Sequence, residues 1–336
     1  MRKALALVAA MTMALVAVNA PAASAATTVA FEPQTVLGPG IPRDGTSDQN
    51  VVALGSVTLD MSATQTAQVV AVMRVNDATI RSLFDNEIVC KWAGGSKNTV
   101  LGQNVYQKAG KSEFEDITLT ASQLVHPGVA TRVTCTAFIR TASLGWDDST
   151  LRLVSGSLKI ANASVVNDAA GKPIQSVVPP GLYKVDATNP VARQPVLSTF
   201  DVTPDVKSLD LVADVEYMIC HTTGQCDKTR TSKASFTLIV NQWKADGTLC
   251  QSDTSTNVVL DTPYYVHHVV VPLKKTGLKV RPDCAPRFNA YVLVKWLGGE
   301  TGAVQGVATG MTDGRRTAAQ HNSDMSAVYV LPNKLS

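Results

Sequence analysis

The sequence predicts an all-β protein built as two tandem antiparallel β-sandwich domains. Three observations carry that reading. Apolar residues recur with a period of two, no long run shows helical periodicity, and Gly, Pro, Asn and Asp separate the apolar runs at the spacing usual for antiparallel proteins. Successive strand side chains face opposite ways, so each alternating run supplies one buried face.

The runs can be taken in order. Residues 51–61 (VVALGSVTLDM) contain an alternating stretch. Residues 67–75 (AQVVAVMRV) put Val69, Ala71, Met73 and Val75 on one face, and residues 130–139 do the same with Val133, Cys135, Ala137 and Ile139. Residues 212–220, 235–240, 264–271 and 288–296 read as further strands. Two short helical turns are expected. Asn76-Asp77 would cap one carrying Ile80, Leu83 and Phe84 at i, i+3, i+4 spacing, and residues 120–125 would form another, stopped by Pro127-Gly128.

Residues 1–26 read as a secretory signal. Arg2 and Lys3 are the positive n-region, Ala4 to Val18 is apolar except for Thr12, and Ala23-Ser24-Ala25 is a small-residue cleavage site. The apolar run is about 15 residues, short of the roughly 20 that span a bilayer. No cysteine follows it for lipid attachment. Leu331-Pro332-Asn333 resembles the start of a wall-sorting signal, without the apolar tail such a signal needs. The expectation is a protein released outside a bacterial cell, with no stable membrane anchor.

Removing the leader takes the formal charge from +3 to +1, which argues against nucleic acid as a partner. Lys274-Lys275 and Arg315-Arg316 are isolated pairs suited to solvated faces. About 310 mature residues suit two domains. The expected organisation is an N-terminal arm over 27–47, a first sandwich over 48–166, a connector over 167–195 and a second sandwich over 196–336. The connector holds Gly171, Pro173, Pro179-Pro180-Gly181, Pro190 and Pro195, and proline cannot serve a central strand. Its Val177, Val178, Leu182 and Val185 are candidates to dock on a domain. The arm should be ordered only where Phe31 or Val36 finds a groove.

An internal duplication crosses the connector. AQVVAVMRV (67–75) resembles LVADVEYMI (211–219), DNEIVC (85–90) resembles ADGTLC (245–250), and residues 130–140 resemble 287–295, in the same order. The cysteines split likewise: Cys90 and Cys135 before the connector, Cys220, Cys226, Cys250 and Cys284 after it. Six cysteines permit 15 connectivities. Secretion and domain autonomy favour Cys90–Cys135, Cys220–Cys226 across the HTTGQ turn, and Cys250–Cys284.

The Cys90–Cys135 segment resembles part of an immunoglobulin domain. Leu119, Leu124 and Pro127-Gly128 precede Val133 and Cys135, like the crossing that leads to a sheet-pinning cysteine. Val133 stands where a corner tyrosine would be, and Trp92 lies two residues after Cys90 rather than on the next strand. The resemblance implies an immunoglobulin-like architecture and not membership of the family.

Candidate sites are few. His221 between Cys220 and Cys226 could suggest zinc, but thiols outside the cell oxidise and no second close pair completes a tetrahedron. His267-His268 point to opposite faces of a strand. Neither a G-x-S-x-G elbow nor an H-E-x-x-H helix occurs. Asp147-Asp148 are paired carboxylates in sequence, but neighbours on a loop point apart. The reading is therefore a protein without catalysis, cofactor or metal. Of Trp92, Trp146, Trp243 and Trp296, Trp146 is the candidate binding residue, because Gly145 and Asp147 put it on a turn. The expected function is binding of an extracellular protein. The alternative is a carbohydrate-binding module, which an exposed Trp146 beside a polar groove would support, whereas a buried Trp146 would favour the protein reading. A hydrolase of unrecognised type ranks below both.

Overall fold

Extended backbone accounts for the architecture. The structure, a computed structural model, describes residues 27–40, 50–108, 111–219, 231–263, 266, 268–307 and 326–334. The expected leader, Cys220, His221, Cys226, His267 and Arg315-Arg316 lie outside these residues. The described residues form strands and no helix.

The first nine strands are β1 (Thr28–Ala30), β2 (Gln34–Gly38), β3 (Asn50–Met61), β4 (Ala67–Asn76), β5 (Ser82–Trp92), β6 (Gly95–Val105), β7 (Ile117–Val125), β8 (Thr131–Ser143) and β9 (Ser149–Asn162). They make two antiparallel sheets. One has the order β1-β9-β4-β7, with β2 also paired to β9; the other has the order β3-β8-β5-β6. The inward faces carry the period-two residues: Val69, Ala71, Met73 and Val75 from one sheet, Phe84, Ile88, Ala137 and Ile139 from the other. Burying a large apolar side chain contributes about 1.5–3 kcal/mol each, so these rows hold the two sheets together.

The remaining strands are β10 (Gln175–Val177), β11 (Leu182–Val185), β12 (Val191–Asp201), β13 (Ser208–Ile219), β14 (Thr231–Trp243), β15 (Leu249–Thr254), β16 (Val258–Pro263), β17 (His268–Lys279), β18 (Arg287–Gly299), β19 (Gly302–Gln305) and β20 (Ala327–Asn333). Again there are two antiparallel sheets. The orders are β10-β20-β13-β19-β11, with β17 also on β13, and β12-β18-β14-β15, with β16 also on β14. Their separate core holds Leu211, Tyr217, Phe236, Leu238, Phe288 and Val292. Tyr217 meets the Phe236 ring edge-on, with centroids 5.1 Å apart, and its hydroxyl shares a 2.9 Å hydrogen bond with Ser232. Gly302 lies flat under that tyrosine, where a Cβ would collide with the ring.

The two sets of sheets repeat one plan. β3-β8-β5-β6 matches β12-β18-β14-β15. In the other sheet β4 matches β13, β7 matches β17, and β19 with β20 fill the place of β9. β1 and β2 pair with the two ends of β9 as β10 and β11 pair with β20 and β19. Two of the three sequence echoes fall on matching strands, β4 with β13 and β8 with β18. The third does not: DNEIVC lies within β5, while ADGTLC spans the turn into β15.

Other expectations need correction. The connector read over 167–195 also contributes β10, β11 and the start of β12 to the sheets of the second half. Pro173 precedes β10, Pro179, Pro180 and Pro190 sit between strands, and Pro195 lies on the edge strand β12, where a missing N–H costs no ladder bond. Val178 and Val185 are fully buried in the second core, while Leu182 stays exposed. The described part of the arm, residues 27–40, plays the same part in the first half through β1 and β2, with Phe31 and Val36 buried. Neither helical turn forms. Residues 82–92 pair along their length with β6 and β8, and residues 117–125 with β4. Non-local ladders satisfy the backbone there, and Asp77 turns the chain in the left-handed region at φ 51°.

The strand order also departs from an immunoglobulin domain. Lettering β3 to β9 as A to G, the B–E and C–F pairs are kept, but A joins F, D joins C and G joins B. Cys90 and Cys135 are direct cross-strand neighbours on β5 and β8, with Cα atoms 3.9 Å apart, so this bridge lies within one sheet and pins no second one. Cys250 on β15 bonds Cys284 in the turn between β17 and β18. That bridge ties an edge strand to a crossing between the sheets.

Candidate functional site

One end of the first sandwich gathers its connecting loops. The β8–β9 loop carries Trp146, the β4–β5 loop runs from Asp77 to Arg81, and the β6–β7 loop runs from Tyr106 to Asp116. The first two are tied together: Leu144 N donates to Arg81 O at 2.9 Å and Thr79 N to Thr150 O at 2.9 Å. The segment after β2 joins them, since Ser143 N donates to Pro39 O and Gly40 N to Asp148 Oδ1, both at 2.9 Å. Asp148 is thus spent on holding the loop, and Asp147 is exposed beside it.

Trp146 is 69% exposed at this end. Next to its loop opens a groove of about 360 Å³, lined by Asp77, Thr79, Lys108, Ser112, Glu113, Phe114 and Asp116 among others. The groove is polar for a structural reason. β6 and β7 are joined by a loop that closes on itself through Lys108 N to Glu113 O, 2.7 Å, and Glu115 N to Tyr106 O, 2.9 Å, with Ser112 and Glu113 exposed while Phe114 packs on the core. Lys108 pairs loosely with Glu113 at 3.8 Å, and Arg74 with Asp116 at 3.3 Å. The result is a shallow site with carboxylate acceptors, an ammonium donor, two hydroxyls and an apolar floor at Phe114. Such a set suits hydrogen bonding to a polar ligand edge. Trp146 was legible in the sequence from its turn. The groove was not, because its residues come from two loops separated in the sequence by all of β5 and β6.

The other tryptophans are half-buried. Trp243 Nε1 donates to Asn289 Oδ1 at 3.0 Å and Trp296 Nε1 to Glu300 O at 3.1 Å, so both indoles are fixed in the fold. Cys250, Asp283 and Cys284 approach within 4.8 Å of one another, but both sulfurs are in the disulfide and only one carboxylate is left to offer.

A second constellation, which the sequence reading missed, lies between the halves. The outward face of β13 presents half-buried Val212 and buried Asp214 and Glu216 to the first half, where Leu124, Val165 and Tyr329 form a small apolar contact with Val212. Opposite stand Asp85 and Glu87 of β5 and Arg140 of β8, all buried. Arg140 Nε is 3.6 Å from Asp85 Oδ2. His268 Nδ1 is 2.6 Å from Glu216 Oε1, while Glu216 Oε2 is buried with no hydrogen-bond partner. Gly102 packs against the Asp85 carboxylate, where a Cβ would meet its oxygen. Among the described strands β17 pairs only with β13, and its other edge is capped by side chains: His268 N donates to Asn104 Oδ1 at 2.6 Å and Val270 N to Gln103 Oε1 at 3.3 Å.

Burial pushes Asp85 up to about 7, against the pull of Arg140 and with further upward push from Glu216 and Glu87. Burial alone pushes Asp214 up to about 7. Tyr329, also chiefly through burial, is raised to about 12. A sequence signal for this cluster did exist. Asp85 and Glu87, like Asp214 and Glu216, are acids two apart inside apolar strands, so each pair shares one face.

No protein-family model and no curated protein sequence matches this chain. Among solved structures, similar chains include the insecticidal delta-endotoxin Cry8Ea1 from Bacillus thuringiensis, 8% identical over 91% of this chain, with a TM-score of 0.25. This chain spans about half of that one, 52%. The tandem CBM22-1–CBM22-2 domain of Paenibacillus barcinonensis Xyn10C is 9% identical over 91% of both chains, with a TM-score of 0.24. The stem and receptor-binding domain of the spike protein P1 of bacteriophage PM2 is 9% identical over 92% of this chain and 99% of that one, with a TM-score of 0.20. At these scores the likenesses fix neither a shared fold nor a shared function.

Proposed function

We propose that this chain is a secreted, non-catalytic binding protein that works at or near a bacterial envelope, with the loop end of the first sandwich as its binding face. The observation that carries the reading is Trp146, exposed on a loop hydrogen-bonded to the β4–β5 loop, whose Asp77 and Thr79 line a polar groove. Loops on a rigid scaffold are the usual seat of recognition, and exposed aromatics are frequent anchors in interfaces. The two disulfides suit an oxidising compartment, and no helix among the described residues is long and apolar enough to cross a membrane.

The first reading has an extracellular protein as the partner. The same observation favours a second reading, a carbohydrate, because an indole face can stack on a sugar ring while the groove's carboxylates and Lys108 bond its hydroxyls. The test is capture from envelope and culture medium beside a glycan array, using wild type and Trp146→Ala. A retained protein supports the first reading and a retained glycan the second. Trp146→Ala is expected to weaken either by about tenfold or more. Equal binding by wild type and variant would move the site elsewhere on the molecule.

A further inference from the structure

Sheet edges offer unpaired backbone groups to any strand that reaches them, and proteins protect them by shortness, proline, charge or cover. Among the described residues, all edges but one are protected in this way. β1, β2, β10, β11, β15 and β16 are three to six residues long. β12 carries Arg193 and Pro195 and shifts register twice against β18. β6 and β7 are buried over residues 99–102 and 121–125, and β17 carries Lys274, Lys275 and Lys279 besides its side-chain caps. β3 is the exception. It runs for 12 residues with no proline, lysine or arginine. Its register shift, between Ala53 and Gly55, is followed by seven consecutive ladder pairs with β8, from Gly55 opposite Ala137 to Met61 opposite Thr131. The one charge in that run, Asp60, is taken up by Arg132 at 2.8 and 3.0 Å. On its other side the run pairs with no described strand.

We propose that residues 55–61 of β3 pair with the same edge of a second copy of this chain, antiparallel about a two-fold axis at Thr58, so that two four-stranded sheets join into one. The order of residues along the edge is what selects a second copy. Thr58 opposite Thr58 places Val57 opposite Leu59, Ser56 opposite Asp60 and Gly55 opposite Met61. Each pair then joins residues of the same face, and a slip of one residue would set inward side chains against outward ones. Val57 and Met61 belong to the first core and Leu59 packs half-buried against it, so the inner-face pairs extend an apolar surface across the axis. The outer face is a row of hydroxyls, with Ser56 bonded to Thr136 at 2.8 Å and Thr58 to Thr134 at 3.4 Å. Across the axis Ser56 meets a carboxylate, Asp60, and each Thr58 meets its own copy, both favourable cross-strand neighbours. The run lies beside the first residues of β8, whereas the loop with Trp146 follows the last, so this edge and the loop-end site are separate surfaces.

Sedimentation velocity of the full mature chain, from about 1 to about 200 μM, tests this: the mass should rise toward twice the monomer's. Thr58→Lys sets two ammonium groups opposite each other at the axis and should weaken self-association by about tenfold or more. Ser198→Lys, exposed on the edge strand β12, should leave it as in wild type. An equal mixture of Thr58→Lys and Thr58→Asp should restore the doubled mass, because opposite charges then meet at the axis. A monomer at every concentration, association undiminished in Thr58→Lys, or a mixture that stays monomeric would overturn the pairing. Should Thr58→Lys not fold, hydrogen exchange of the unaltered protein decides: amide protection over residues 55–61 that rises with protein concentration supports the proposal, and equal protection at all concentrations rejects it.

Discussion

The two halves share a strand plan and differ in how they are fastened. In the first, the disulfide joins the neighbouring strands β5 and β8 in the middle of a sheet. In the second, the matching strands β14 and β18 carry no bridge, and Cys250–Cys284 instead ties the edge strand β15 to the turn between β17 and β18. The difference shows that the sheet order does not depend on where the covalent tie lies. Apolar rows on matching strands, Phe84 on β5 and Phe236 on β14, are common to both halves and both fully buried. The halves differ again in their outer faces. The outer face of β5 carries acids covered by the second half, while around matching β14 the sheet leaves Val196, Leu249 and Val259 exposed.

If the two cores are independent, each can be broken alone. Phe84→Ala and Phe236→Ala should each cost about 3–5 kcal/mol, through lost burial and the cavity left behind. Calorimetry should show each variant lowering one of two transitions. The same test applies to fragments, residues 27–166 and 168–336, each expected to be soluble with β-type circular dichroism and cooperative melting. A second fragment starting at Pro195 would lack β10, β11 and part of β12, and should fold poorly. A fragment that orders only when mixed with its partner would show that the halves form one cooperative unit.

Removing the bridges sharpens the contrast at the next level. The closed loops span 45 and 34 residues. Chain entropy alone gives each bridge about 4 kcal/mol. Replacing Cys90 and Cys135 by Ala should lower stability of the first half without changing its sheet order, since eleven ladder pairs from Ser82 to Trp92 remain with β6. Replacing Cys250 and Cys284 by Ala should in addition free the β15 edge, seen as faster amide exchange at β15. Uniform loss of protection in both halves would contradict the comparison.

The smallest effect is expected at the outermost ion pairs. Arg132 lowers the Asp60 pKa through a two-pronged hydrogen bond at 2.8 and 3.0 Å, but both side chains are largely exposed. Solvent and salt screen such a pair. Asp60→Asn should leave the melting midpoint of the first half unchanged within measurement error. A clear drop would mean that the β3–β8 edge relies on charge as well as on its ladder.

Much of the fold was legible because strand periodicity is local. Val69 to Val75, Val133 to Ile139 and Phe288 to Trp296 declare their faces without reference to anything distant. The helical turns at Ile80–Phe84 and 120–125 were misread because i, i+3, i+4 coincidences arise by chance in short apolar runs, and the ladders that decide the matter come from elsewhere in the chain. At the candidate site, Trp146 announced itself by its turn, while its groove required two loops to meet.

By itself the sequence determined an all-β chain, the buried face of most strands, the division of cysteines between two halves and the exposed turn at Trp146. These depend on side-chain alternation and turn chemistry, which act over a few residues. The tertiary structure alone decided that β1 and β2 and the proline-rich stretch fill edge positions, that Cys90–Cys135 lies within one sheet, and that Asp85, Glu87, Asp214 and Glu216 are buried together. Each of these depends on pairing or desolvation by a segment far away in the chain, and burial of a charge has no signature until the covering surface is in place.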